Sequence, residues 1–98
     1  MNIVYQLEVY PLSIQKIEIP TDAQIFSVKN LKDELVMGRR KDTVQVWVLL
    51  DQLKDTKPLK VGRFIEFIPN NVEMSADARN YIDTVEIDGV VLHVFERL

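Results

Sequence analysis

The single histidine is the residue of this sequence best suited to acid–base chemistry. Histidine is the side-chain type that changes charge near neutral pH, and the chain has one, His93. It serves either as a general base or as a structural residue that hydrogen-bonds a neighbouring strand. We favour the structural role because the serines lie in no recognisable nucleophile motif; these are Ser13, Ser27 and Ser75. The sequence therefore predicts no catalytic residue and no enzyme.

The remaining reactive residue types exclude further classes of site. The chain has no cysteine, which rules out a disulfide scaffold, a Cys/His zinc site and a thiol enzyme. Asp83, Glu86 and Asp88 lie close in sequence but are not framed as a calcium loop. The three glycines are scattered singly and form no phosphate-binding loop. We expect no metal and no cofactor.

Positive charge is concentrated in the middle of the chain. Residues 29–63 carry nine of the twelve basic residues and have a net charge of +4, whereas residues 64–98 have −5. The densest stretch is Gly38 followed by Arg39, Arg40 and Lys41. This loop either recognises an acidic protein surface or a nucleotide phosphate, or is a solvated turn that protects a sheet edge. The net charge of −3 and the pI of about 5.1 argue against direct binding of nucleic acid.

Trp47 is the one large aromatic residue in the most regular predicted strand. It alternates with Val44, Val46 and Val48 and therefore points away from their face. Either a second apolar layer covers it, or it is an exposed anchor at an interface, where tryptophan is enriched. If the fold has two layers, Trp47 becomes a candidate for partner binding.

These side chains must be positioned by strands. The length of 98 residues suits one domain, residues 1–98, and 13 Val and 9 Ile against 10 Leu and 3 Ala favour strands over helices. The fold class predicted is mainly β, a β-sandwich or β-rich α+β fold of antiparallel strands and hairpins with at most one or two short helical turns. Period-two apolar patterns and Gly/Pro punctuation predict strands at 3–9, 13–19, 23–29, 43–50, 59–67, 81–87 and 90–95. We also expect a short strand at 34–37, a helical turn at 51–57, a turn capped by Ser75, and a bulge at Gly62.

The last two strands form the most specific local prediction. Asp88-Gly89 is a strong signal for a type I′ turn with a two-residue loop. That loop pairs Ile87 with Val90, Val85 with Leu92, Thr84 with His93 and Ile82 with Phe95. The register places Val85, Ile87, Val90, Leu92 and Val94 toward the core. It also puts His93 within reach of Thr84 and, diagonally, of Glu86.

Ordered sequence blocks along the chain resemble a known family. The blocks are Ile-Val-Tyr near the start, Ile-Glu-Ile-Pro-Thr-Asp-Ala-Gln-Ile at 17–25, Val-Gln-Val-Trp-Val-Leu-Leu-Asp at 44–51, Tyr-Ile-Asp-Thr-Val at 81–85 and Gly-Val-Val-Leu-His-Val-Phe-Glu at 89–96. Together they resemble a family of small bacteriophage and prophage proteins of unknown function. The resemblance implies a phage origin and a β-rich fold, and it transfers no catalytic residue.

The leading functional expectation is a non-enzymatic binding protein. Small phage proteins without catalytic signatures often disable a host factor, so we expect a host bacterial protein as partner, such as a defence-system component. The candidate contacts are Arg39, Arg40, Lys41 and Trp47. One alternative is a homo-oligomer that sequesters a nucleotide signal, and another is a virion or assembly accessory protein. No apolar run approaches the roughly 20 residues of a membrane span, so we expect no membrane contact and a location in the host bacterial cytoplasm.

Overall fold

The alternating apolar runs form antiparallel strands. The structure, a computed structural model, describes residues 2–30, 43–51 and 59–98. Within these ranges there are seven strands and no helix. The strands are β1 (Asn2–Val9), β2 (Ile14–Pro20), β3 (Gln24–Lys29), β4 (Val44–Asp51), β5 (Lys60–Pro69), β6 (Arg79–Ile87) and β7 (Val90–Arg97). The mainly β fold predicted from the sequence is therefore confirmed.

Three smaller expectations have different outcomes. The short strand at 34–37 lies outside the described residues, and so does the helical turn at 51–57 beyond its first residue. The turn capped by Ser75 was wrong, because the Ser75 hydroxyl donates to the Asp77 carboxylate at 2.8 Å and residues 72–78 form no helix.

The strands are arranged in two antiparallel sheets. One has three strands in the order β1-β4-β3, and the other has four in the order β2-β5-β7-β6. One apolar cluster draws residues from strands of both sheets, so the sheets pack face to face as a β-sandwich. Its buried members are Val9, Ile17, Ile19, Ala23, Ile25, Val28, Val44, Val46, Val48, Leu50, Ile65, Phe67, Val85 and Val94.

Two bulges lie where β3 and β6 approach each other. Pairing with β4 shifts between Ile25 and Ser27, and pairing with β7 shifts between Tyr81 and Asp83. The bulge predicted at Gly62 was wrong, since the β2–β5 register continues through the Glu18–Gly62 pair without a break. An added Cβ at this position would lie 2.7 Å from Cδ of Lys16, so a larger residue would require the exposed lysine side chain to move.

The C-terminal hairpin has the predicted turn. Asp88 and Gly89 have φ values of 50° and 80°, as a type I′ turn requires, and Thr84 pairs with His93. The predicted Ile82–Phe95 pair was wrong. Tyr81 pairs with Phe95 instead, because the bulge adds one residue to β6. Val90, predicted to face the core, is half exposed beside the turn.

The connection from β5 to β6 crosses the surface of the four-stranded sheet. β5 and β6 run in the same direction on either side of β7. Residues 70–78 must therefore pass from the end of β5 back to the start of β6, along the length of β7. We call this segment the strap. It contacts Arg79 and Arg97, which pair with each other on the face directed away from the core. We call that face the outer face.

In the part of the chain that the structure describes, no helix has the length and apolar character required to span a bilayer.

Candidate functional site: a groove beside the strap

Arg79 fastens the strap to the four-stranded sheet. Its side chain is only 6% exposed, and its Nε donates to Glu66 at 2.9 Å. Its terminal nitrogens donate to the carbonyl oxygens of Ser75 (2.8 Å) and Asp77 (2.9 Å), and to the Ser75 hydroxyl (2.7 Å). The planar guanidinium of arginine carries five N–H donors. The single side chain of Arg79 can therefore bind the Glu66 carboxylate and the strap backbone at the same time.

Arg97 makes a second connection on the same face. Its Nε lies 3.4 Å from the carboxylate of Glu66, and its terminal nitrogen donates to Asp77. Hydrogen bonds from Ser75 and Arg97, with the positive charge of Arg97, hold the pKa of Asp77 below its ordinary value. Glu66 therefore lies between two guanidinium groups, which explains how a carboxylate is buried on an outer face.

His93 fastens the other end of the strap. Its Nε2 lies 2.6 Å from the side-chain oxygen of Asn70, and its Nδ1 lies 3.1 Å from the Thr84 hydroxyl. With the ring proton on Nε2, that nitrogen donates to Asn70 and Nδ1 accepts from Thr84. The hydroxyl of Tyr81 extends the chain to Thr84 at 2.6 Å. The partners that the structure gives His93 are thus Thr84 and Asn70, rather than the diagonal Glu86.

A groove of about 250 Å³ lies between the strap and the start of β2. Glu66 and Ile68 contribute to it from β5, and Ser13 contributes just before β2. On the strap side it is lined by Val72 and Met74, which are 53% and 45% exposed. The strap wall of the groove thus combines two exposed apolar side chains with the exposed carboxylate of Glu73, while Glu66, Arg79 and Arg97 are paired with one another.

The same outer face extends the apolar surface beyond the groove. Ile14 pairs with Glu66, and Phe64 lies between its partners Lys16 and Arg97. Ile14 and Phe64 are 42% and 43% exposed. Large apolar side chains exposed around a groove and flanked by cations mark a site of molecular contact more often than a site of catalysis.

The groove favours contact with a side chain over binding of a whole metabolite. Small-molecule sites usually enclose about 300–1,000 Å³ and bury most of the ligand, whereas this groove holds about 250 Å³. Among the described residues, no group of three or more His, Cys, Asp or Glu side chains could hold a metal ion.

Of the four contact residues predicted from the sequence, the structure describes only Trp47. Arg39, Arg40 and Lys41 lie outside the described residues. Trp47 lies on the outer side of the three-stranded sheet between Gln6 and Ser27, and is half buried. The ammonium of Lys29 lies 5.7 Å from the centre of its ring, within cation–π range. The structure does not bring Trp47 to the groove, which belongs to the other sheet.

Sequence reasoning missed the groove and the arginines that support it. Val72 and Met74, separated by one residue, are the two large apolar residues in the connection after Pro69. This isolated apolar pair was the available signal. Arg79 gave no local signal, because its role depends on Glu66, which is 13 residues away in the chain.

Residues 1–98 match the model of a family described as a domain of unknown function, DUF7352. The chain belongs to the DUF7352 family. A comparison with curated proteins and another with solved structures each find no match. The family match covers both sheets and the strap of this DUF7352 chain, so the groove lies inside the family's domain.

Proposed function

We propose that this DUF7352 protein is a non-enzymatic binding module that takes an apolar side chain of a partner protein into the groove beside the strap. The observation that carries the proposal is the exposed apolar wall of Val72 and Met74 around a volume of about 250 Å³. Ile14 and Phe64 enlarge the apolar area on the same face. Burying such side chains is the main source of free energy in protein association.

The attachment of the strap to the sheet favours binding at the groove. A rigid site loses less conformational entropy when a partner is bound. The strap has no regular secondary structure, but Arg79, Arg97 and His93 connect it to the sheet at both ends. The two exposed apolar side chains thus lie in a segment that is held to the sheet on both sides, at Asn70 and at Ser75 and Asp77.

The partner that we propose is a host bacterial protein, and the chain is proposed to be phage-encoded. The support for the phage origin is the ordered set of sequence blocks described above. Inhibition of a host assembly, such as a defence-system component, fits a small binding module because occupying a surface requires no chemistry. This last step is an inference from the class of protein.

Affinity capture with matched variants tests the proposal. The wild-type chain, a Val72→Asp/Met74→Glu double variant and Val90→Glu are each used as bait in bacterial lysate, and bound proteins are identified by mass spectrometry. Val90 is 50% exposed at the hairpin turn, so its variant adds a charge of the same sign at a comparable position outside the groove. We expect one bacterial protein to be captured by wild type and Val90→Glu and lost with the double variant.

Two results would overturn the proposal. One is capture of the same proteins by all three baits, which would place binding elsewhere. The other is a specific rise of the melting temperature with one member of a cyclic-nucleotide panel, combined with no protein captured. A ligand that binds only the folded state raises that temperature by mass action, and this result would favour the nucleotide-sequestering alternative.

A further inference from the structure

Among the residues that the structure describes, the two sheets have four edge strands, and three of these carry features that discourage pairing with another chain. β3 and β6 each contain a bulge and lie against each other. β2 exposes Lys16 and Glu18 and ends at Pro20. Bulges, charges and proline are the usual means by which natural proteins protect sheet edges.

The fourth edge, β1, has almost none of these features. Its eight residues pair with β4 in an unbroken register from Asn2 to Val9, and no described strand pairs with its other side. It contains no proline and one charged residue, Glu8. The carboxylate of Glu8 accepts a hydrogen bond from Thr43, beside β4, and so has a partner within its own chain. An edge with an unbroken register and little charge is a template for strand addition.

The core side of β1 is also incompletely covered. Ile3, Tyr5 and Leu7 pair with Leu50, Val48 and Val46 of β4. The three β4 residues are buried, whereas Ile3 is 37% exposed and Tyr5 and Leu7 are only partly buried. The apolar layer thus continues to the β1 edge without being closed there, and an added strand would cover it.

We propose that β1 pairs antiparallel with β1 of a second copy of this chain, joining two three-stranded sheets into one of six strands. Symmetric pairing across a two-fold axis is the commonest arrangement of homodimers. Charge permits it, because a register centred near Tyr5 places the two Glu8 side chains at opposite ends of the ladder. This proposal is independent of the groove, which lies on the other sheet.

The mass of the full chain in solution is the first test. Size-exclusion chromatography with light scattering should give twice the chain mass of 11.4 kDa, with a shift toward one chain mass on dilution. A Val4→Lys/Gln6→Lys variant should remain at 11.4 kDa with an unchanged circular dichroism spectrum. Both side chains are exposed on the outer side of β1, so the lysines repel across the two-fold axis without entering the core. A wild-type chain that keeps one chain mass at every concentration overturns the proposal.

Cysteine cross-linking then tests which edge pairs. The chain has no cysteine, so single substitutions Val4→Cys, Gln6→Cys and Glu8→Cys report only the introduced position. A single variant forms a disulfide when the two-fold axis passes beside its own cysteine, and a mixture of two variants does so when the axis passes midway between their cysteines. Together these samples detect every register in which the axis passes beside one of residues 4–8. We expect one register to form most of the disulfide-linked dimer, because cross-strand partners lie about 4.5–5.5 Å apart. Glu18→Cys, exposed on the β2 edge, is the matched control. A dimer that cross-links through Glu18→Cys and through no β1 position overturns the proposal.

Discussion

Asp83 connects the two sheets through its carboxylate. One oxygen accepts hydrogen bonds from the Ser27 hydroxyl and the Val28 amide of β3, both at 3.0 Å, and the other accepts from the Thr84 amide at 2.9 Å. The bulges in β3 and β6 lie at this point. The extra residue in each strand thus lies beside the Asp83 contact. This contact joins two sheets that no ladder hydrogen bonds connect.

Removal of this carboxylate should weaken the sandwich. We expect Asp83→Ala to lower the free energy of unfolding by roughly 1.5–3 kcal/mol, because hydrogen bonds to charged groups have that value and the Val28 amide loses its acceptor. Urea unfolding at neutral pH measures the change. The control is Asp22→Ala, an exposed turn residue, for which a change of about 0.5 kcal/mol or less is expected. Equal effects of the two substitutions would contradict the assigned role of Asp83.

The outcome for His93 shows how far single residues can be predicted. Alternation and the Asp-Gly turn predict that it lies opposite Thr84, and the structure has that pair. Its second partner, Asn70, is 23 residues away and belongs to a connection with no periodic pattern. Local patterns specify a strand neighbour well but carry no information about which loop crosses above it.

Among the structural elements, the strap is held in position by Arg79 more than by hydrogen bonds within the strap itself. Arg79 contacts Glu66, Ser75 and Asp77 from a nearly buried position. We expect Arg79→Ala to destabilise the fold by about 3 kcal/mol, since removing one partner of a buried ion pair leaves a buried charge poorly compensated. Amides of residues 72–78 should then exchange faster with solvent.

Hydrogen exchange with mass spectrometry distinguishes local release of the strap from destabilisation of the whole fold. In Arg79→Ala, exchange should accelerate in the strap more than in β4. Lys60→Ala is the control, because Lys60 is an exposed cation at the start of β5, and it should leave exchange of the strap unchanged. Uniform acceleration across both sheets would mean that Arg79 does not act specifically on the strap.

The strap should also respond to acid through Asp77. Its pKa is lowered by the Ser75 and Arg97 hydrogen bonds, so the stabilisation is present above the ordinary value of 3.8 and is lost as the pH falls through the lower value of the folded state. We expect wild type to be more stable than Asp77→Asn at neutral pH, with the difference shrinking below pH 3.8. Urea unfolding across that range measures it. A difference that does not depend on pH would contradict the ionic role of Asp77.

At the scale of the whole molecule, the strands were predictable and their arrangement was not. Runs such as Val44–Leu50 have a clear period of two because one side of each strand faces the core. Strand order has no local signature: β5 lies between β2 and β7, which are distant in sequence from each other. The groove arises from this order, because residues just before β2, residues near the end of β5 and the strap are brought together to line it.

We propose that a partner protein binds at the groove beside the strap. The most direct measurement is the dissociation constant of the captured partner, after purification, for the wild-type chain, Met74→Glu and Val90→Glu. Met74 and Val90 are 45% and 50% exposed, so the two variants add the same charge at comparably exposed apolar positions. We expect at least tenfold weaker binding for Met74→Glu, equivalent to about 1.4 kcal/mol, and unchanged binding for Val90→Glu. Equal dissociation constants for all three proteins would contradict it.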